Sequence, residues 1–152
     1  MIKEENSVVL VRTVAAPIGQ VYEAWTKPDL LQQWFAPRGS AVRSADVALH
    51  EGGTYRVEVI DSDWNRLVTD GRYEELVPNR SIVKTIAHDG PGSRTGVGAT
   101  RVDVKFRDIG AGNTEITLLH ENLIDDDHKA DMRRDWAQRL DKLDVLLARS
   151  PA

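Results

Sequence analysis

His120 is the side chain best suited to acid–base chemistry or ligand recognition, because imidazole titrates near neutral pH. It follows Ile116 and Leu118 at alternating positions, which predicts that all three lie on one face of a strand. His120 would then serve either as a polar anchor or general base in a cavity, or as a hydrogen-bonded histidine at a strand end. The second interpretation is favoured, because a general base also needs a substrate or nucleophile within hydrogen-bonding reach.

The run of three aspartates and a histidine at residues 125–128 has side chains that bind metals, and it lies close to His120 in sequence. Metal ligands must converge on one point, whereas adjacent side chains point apart. Carboxylates at a helix start are also stabilised by the positive end of the helix dipole. We therefore predict no metal site and interpret the run as a helix N-terminus.

Motifs for nucleophilic catalysis and phosphate binding are missing from the sequence. The chain has no cysteine and no Gly-x-Ser-x-Gly motif. The glycine-rich segment 90–96 precedes an alternating strand rather than a helix, so we predict a hairpin at the rim of a cavity and not a phosphate loop. No spacing of paired carboxylates indicates glycoside chemistry. The sequence predicts no catalytic residue and no cofactor.

Aromatic side chains are the other candidates, and they come from distant parts of the chain. They could line a ligand pocket, or they could form an ordinary core in which each contributes about 2 kcal/mol or more. Trp64 lies among turn-forming residues and is predicted at the surface or at a cavity entrance. The remaining set is Trp25, Trp34, Phe35, Tyr55, Tyr73, Phe106 and Trp136.

A long C-terminal helix must position Trp136. Residues 127–149 carry apolar side chains at steps of four, four, three and four, the spacing of one helical face. The polar side chains, Arg139 and Lys142 among them, are predicted to cover most of the rest. A helix of roughly 30 Å needs an apolar surface to lie on. The stripe consists of Met132, Trp136, Leu140, Leu143 and Leu147.

The rest of the chain supplies a sheet. One strand, residues 7–14, is followed by two short helices at 18–26 and 29–34, separated by Pro28. The pattern then alternates with period two and is interrupted only by short turns, which predicts an antiparallel meander. Its strands are predicted at 41–49, 54–60, 67–77, 81–87, 101–106 and 115–121.

Length, charge and hydrophobicity limit the classes of function that this sequence can have. With 152 residues and neither an internal repeat nor a linker, residues 1–152 are predicted to form a single domain. The net charge of -4 and the scattered basic residues exclude a nucleic-acid partner. No apolar run approaches the length of a membrane span, and the polar N-terminus is no signal peptide, so a cytoplasmic location is expected.

The order of several short motifs resembles a known family. The similarity covers nearly the whole chain, and it rests on the order and spacing of the motifs because none is specific alone. The motifs are Ala16-Pro17, Val21-Tyr22-Glu23-Ala24-Trp25-Thr26, Pro28, Leu31, Trp34-Phe35, Pro37, Gly52-Gly53-Thr54-Tyr55-Arg56, Gly71-Arg72-Tyr73-Glu74-Glu75, Pro78-Asn79-Arg80, Thr114-Glu115-Ile116-Thr117-Leu118, His120-Glu121, and Trp136 with Leu140-Asp141-Lys142-Leu143.

These motifs resemble the homologues of the C-terminal domain of the activator of heat-shock protein 90 ATPase, in the START-like or SRPBCC superfamily. The resemblance implies an α+β helix-grip fold, like that of the birch-pollen allergen, with a curved antiparallel sheet around the C-terminal helix. It also implies a cavity for an apolar or amphipathic ligand between sheet and helices. Ala48, His50 and Asp135 depart from the family pattern, so the polar groups of the pocket are expected to differ.

We interpret the protein as a non-catalytic small-molecule-binding protein. Two alternatives remain: a cyclase- or hydrolase-like enzyme that uses the same cavity, and a protein-interaction module that regulates a chaperone. Strand 7–14 is expected at a sheet edge, where it could pair in a homodimer. The predicted ligand-binding residues are Trp25, Trp34, Phe35, Tyr55, Val57, Tyr73, Val104, Phe106, Leu118, His120, Trp136 and Leu140.

Overall fold

The structure is a computed structural model that describes residues 6–89 and 99–149. It contains seven strands and three helices in the predicted order, and their bounds agree with the predictions to within a few residues. The predicted hairpin at 90–96 lies outside the described residues. The elements are β1 (Val8–Val14), α1 (Ile18–Thr26), α2 (Pro28–Trp34), β2 (Ser40–Val47), β3 (Thr54–Asp61), β4 (Arg66–Val77), β5 (Ser81–Asp89), β6 (Thr100–Gly110), β7 (Asn113–Glu121) and α3 (Asp126–Arg149).

All seven strands form one antiparallel sheet in the order β1-β7-β6-β5-β4-β3-β2. Each strand from β2 to β6 pairs antiparallel with the next strand along the chain, so the predicted meander is confirmed. The sheet curls as a half-barrel around α3, which confirms the predicted helix-grip fold. Strand β1 lies at one edge, as expected, and its pairing across a dimer stays a prediction.

Prolines set the path of the two short helices. Pro17 precedes α1, where its missing N–H costs nothing, and Pro28 occupies the first turn of α2. The indole N–H of Trp34 donates to the carbonyl oxygen of Ala24 at 2.9 Å, which ties α2 back to α1. The two helices therefore form a bent cover that directs Trp25 and Trp34 into the interior, where both are fully buried.

Helix α3 begins at an aspartate cap, as the acidic run predicts. The carboxylate of Asp125 accepts a hydrogen bond from the backbone N–H of His128 at 2.7 Å. Trp136, Leu140, Leu143 and Leu147 are buried and Met132 is partly buried against the core, which confirms the predicted apolar stripe. The predicted solvent position of Arg139 is wrong: this side chain is buried on the same face.

Gly71 allows two strands and an aromatic ring to meet closely. It pairs with Tyr55 across β3 and β4, and a Cβ atom at Gly71 would overlap the carbonyl oxygen of Thr85 on β5. The hydroxyl of Tyr55 donates to that same carbonyl at 2.6 Å. A side chain at position 71 would therefore disturb both the sheet and the placement of Tyr55.

We expect Gly71→Ala to destabilise the protein by about 1–3 kcal/mol, because the overlap is with backbone that cannot move aside easily. The matched control is Gly19→Ala in α1, where nothing lies within 4 Å of the added Cβ atom. That control should be neutral or stabilise by about 0.5–1 kcal/mol. Urea denaturation of both variants checks this, and equal midpoints would contradict the close approach.

Candidate functional site

The predicted site residues lie together in the interior. All twelve are buried, and they come from the three helices, the residue that follows α2 and four strands of the sheet. The seven aromatic ones among them are called the aromatic cluster below. Their burial is confirmed by the structure, and their contact with a ligand stays a prediction. The aromatic cluster consists of Trp25, Trp34, Phe35, Tyr55, Tyr73, Phe106 and Trp136.

Trp25 is the central ring of the aromatic cluster. It packs edge-on against Trp34 with ring centroids 4.7 Å apart, and it stacks on Trp136 at 6.0 Å with an interplanar angle of 22°. Phe35 packs edge-on against Trp136 at 6.0 Å. These offset and edge-to-face geometries are the favourable ones for aromatic pairs. Side chains from α1 and from the residue that follows α2 therefore contact the middle of α3 directly.

His120 forms part of a hydrogen-bonded relay. The indole N–H of Trp136 donates to Nδ1 of His120 at 3.0 Å, and Nε2 of His120 lies 2.7 Å from the hydroxyl oxygen of Thr100. Because Nδ1 accepts, the proton must be on Nε2, which donates to Thr100. Both ring nitrogens are engaged, so the geometry favours a role for His120 in orienting Trp136 over its predicted role as a ligand anchor.

Lys84 is a functional candidate that sequence reasoning missed. It lies on β5 between Ile82 and Ile86, on the core-facing side of the strand, and only 2% of its surface is exposed. Its ammonium nitrogen lies 4.7 Å from the ring centroid of Tyr55, 4.9 Å from that of Phe35 and 5.8 Å from that of Trp25. Such cation–π contacts offset part of the free-energy cost of removing the ammonium group from water. Burial, with the nearby charge of Arg139, lowers the pKa of Lys84 to about 7.

Arg139 is a second buried cation against the same rings. Its Nε donates to the carbonyl oxygen of Phe35 at 3.0 Å, and its guanidinium carbon lies 5.0 Å from the ring centroids of both Phe35 and Trp136. Burial lowers the pKa of Arg139 to about 10. The signal that could have found it is its spacing, because a residue three positions after Trp136 lies on the same helical face.

Two hydrogen-bonding groups of the aromatic cluster are enclosed without a partner. Within the part of the chain that the structure describes, the indole N–H of Trp25 and the hydroxyl of Tyr73 have no hydrogen-bond partner. The hydroxyl of Tyr55 is satisfied by the carbonyl of Thr85. Burial raises the pKa of both tyrosines, so their hydroxyls remain protonated donors at neutral pH.

Other parts of the described surface are weaker candidates for a functional site. A groove of about 320 Å³ lies at the surface between α2 and α3, but its Lys142 already donates to the carbonyls of Pro37 and Ser40. Trp64 is 84% exposed in the β3–β4 turn, as predicted for a surface residue. Residues 6–89 and 99–149 contain no group of three His, Asp or Glu side chains that could hold a metal ion. None of the described helices is long and apolar enough to cross a membrane.

Comparison with known proteins gives the family context of this site. The family model described as activator of Hsp90 ATPase homolog 1-like protein matches residues 15–148. Among curated proteins, none matches. Solved structures do match, and they extend over nearly the whole chain.

Three of these structures illustrate the likeness. Protein CV1439 from Chromobacterium violaceum is 25% identical, with a TM-score of 0.82 over 95% of this chain and 99% of that one. A protein from Rhizobium leguminosarum is 26% identical, with a TM-score of 0.79 over 95% of each chain. A protein from Rhodobacter sphaeroides is 22% identical, with a TM-score of 0.83 over the full length of both chains, which shows the shared fold.

Proposed function

This chain belongs to the family of activator of Hsp90 ATPase homolog 1-like proteins, and on that premise we propose that it binds a small, largely apolar molecule without catalysing a reaction. The ligand would lie between the curled sheet and α3, against the aromatic cluster. An apolar interior with a few converging polar groups is the usual character of small-molecule sites.

The observation that carries the proposal is the pair of enclosed donors on Trp25 and Tyr73. Buried polar groups in folded proteins almost always have partners, and an unpaired one costs about 1–3 kcal/mol. A core built only for packing would place Phe at position 73. A ligand with a hydrogen-bond acceptor would satisfy such donors while its apolar body contacts the rings.

A non-catalytic role is supported by the histidine relay. Both ring nitrogens of His120 are engaged, by Thr100 and Trp136, so neither is free to accept a substrate proton. The enzymatic alternative rests instead on Lys84, since a buried amine with a pKa of about 7 has the reactivity of a Schiff-base lysine. Reduction with borohydride in the presence of a carbonyl compound would trap such an adduct on Lys84 and favour that alternative.

We expect apolar aromatic molecules to quench the fluorescence of the buried tryptophans in a saturable way. The titration should use Trp64→Phe, because Trp64 is exposed and would add a signal unrelated to the interior. The signal then comes from Trp25, Trp34 and Trp136 alone. Affinity should persist at high salt, because apolar burial rather than surface charge provides it.

Native mass spectrometry of the protein purified from its source provides an independent measurement, with a co-purifying small molecule as the expected result. Linear, non-saturating quenching by every neutral and charged aromatic compound, with no co-purifying molecule, would contradict ligand binding. The protein-interaction alternative would then be favoured.

A further inference from the structure

Building on the proposed ligand site, we infer that the ligand is an apolar organic acid whose carboxylate binds between Lys84 and Arg139. Both cations lie against the Phe35 ring, with Nζ of Lys84 at 4.9 Å and the guanidinium carbon of Arg139 at 5.0 Å from its centroid. Two like charges at one buried ring repel each other, and that repulsion is relieved when an anion binds beside them.

Neither cation has an ion-pair partner in the described residues. Lys84 is bordered by three aromatic rings, and the one charge that shifts its pKa is that of Arg139. Asp135 acts on Arg139 from a distance, and its carboxylate lies 3.6 Å from Nε of Arg134. Buried charges are normally paired, because the loss of hydration is costly.

Two arginines of the sheet, Arg12 and Arg101, show the usual pairing that the cations at Phe35 lack. Arg12 contacts the carboxylates of Asp141 and Asp144 at 2.9 and 2.8 Å. Arg101 likewise contacts those of Glu74 and Glu121 at 3.1 and 2.9 Å. These arginines are far more exposed than Lys84 and Arg139, yet they are paired. Lys84 and Arg139 are the two most buried lysine and arginine side chains of the described residues, and neither has a carboxylate partner.

The polar groups beside the aromatic cluster that could bind a ligand are hydrogen-bond donors. Lys84, Arg139 and the indole of Trp25 can only donate hydrogen bonds, and the Tyr73 hydroxyl can donate one. A carboxylate, which only accepts, complements such a set, whereas an amide or alcohol would bring a further donor. The surrounding rings of Phe35, Tyr55 and Trp25 require that the rest of the molecule be apolar.

The test compares a naphthalene carboxylate with the corresponding carboxamide, in the Trp64→Phe background at pH 7. The two probes have the same shape and differ in charge. We expect the carboxylate to bind about 10- to 100-fold more tightly than the carboxamide, because hydrogen bonds to a charged group are stronger than those between neutral groups. Lys84→Met should remove most of that preference. The matched control Lys105→Met, on the exposed side of the neighbouring strand β6, should retain it.

Each outcome has a distinct meaning. If neither probe binds saturably, the proposed function fails and this inference fails with it. If both bind equally, or if the preference survives in Lys84→Met, the ligand site stands and the anionic assignment is overturned. Should Lys84→Met fail to fold, the test rests on the protein that retains Lys84. Tighter binding of the carboxylate than of the carboxamide would then support the anionic assignment, and equal binding would overturn it.

Discussion

Raising the pH from 7 to about 9.5 should stabilise this protein against unfolding by about 3 kcal/mol. The cause is Lys84, whose pKa is about 7 in the folded protein and 10.5 in the unfolded chain. Between these values the unfolded chain holds a proton that the folded protein does not. The free energy of unfolding therefore increases with pH in this window, by up to about 1.4 kcal/mol per pH unit. Below pH 7 both states are protonated, and the folded protein bears the full cost of the buried charge.

Neighbouring titratable groups limit the increase in stability at the high-pH end of this range. Arg139, from α3, has a folded pKa of about 10, so it adds to the increase only above that pH. Tyr55, Tyr73 and Tyr22, from β3, β4 and α1, have raised pKa values and keep their protons when folded. Above pH 10 the unfolded chain loses those protons, and stability falls again. The maximum should lie between about pH 9 and 10, whereas most proteins are most stable between about pH 5 and 8.

Urea denaturation followed by circular dichroism at pH 6, 7, 8, 9 and 9.5 measures this directly. Lys84→Met should lose the increase and should be more stable than the natural protein at pH 7, because an apolar side chain of similar size replaces a buried charge. Lys105→Met, whose lysine is exposed, should behave like the natural protein. A midpoint that stays constant or falls between pH 7 and 9 would contradict a neutral, buried Lys84.

The fold could be predicted because it depends on local patterns. Val102, Val104 and Phe106 alternate along β6, and Ile116 and Leu118 alternate along β7. The register pairs Val104 with Leu118 and Phe106 with Ile116, so the apolar positions coincide as expected. The stripe on α3 was equally readable, since a buried face of a helix recurs every three or four residues.

The polar interior could not be predicted, because tertiary contacts decide it. Lys84 stands between Ile82 and Ile86, a pattern that places it on the buried face, yet lysine alone indicates solvent. What makes its burial tolerable is the meeting of rings from α1, from the end of α2 and from β3. His120 was predicted on the correct face. Its partners, Thr100 and Trp136, come from β6 and α3 and cannot be read from its own strand.

Trp136→Ala should cost about 3–5 kcal/mol of unfolding free energy, the usual effect of truncating a large aromatic side chain in a core. Trp136 is fully buried, stacks on Trp25 and packs against Phe35. Its removal leaves a cavity at the point where the short helices contact α3. It also leaves Nδ1 of His120 without its indole donor.

Trp136→Phe separates these two contributions. Phenylalanine keeps most of the apolar volume but has no N–H, so its main loss is the hydrogen bond to His120. We expect a cost of about 1–3 kcal/mol, the range for leaving a buried acceptor unpaired. The difference between the two variants then measures the packing of the ring.

Val145→Ala is the matched control, because Val145 lies on the same helix with 52% of its surface exposed. Its effect should stay within about 0.5 kcal/mol. Circular dichroism is the appropriate signal, since Trp136 itself contributes to the fluorescence. An unchanged midpoint in Trp136→Ala would mean that the side chain does not bridge α3 and the short helices. If only Trp136→Phe left the midpoint unchanged, the packing role of Trp136 would stand. The hydrogen bond between Trp136 and His120 would then contribute nothing to stability.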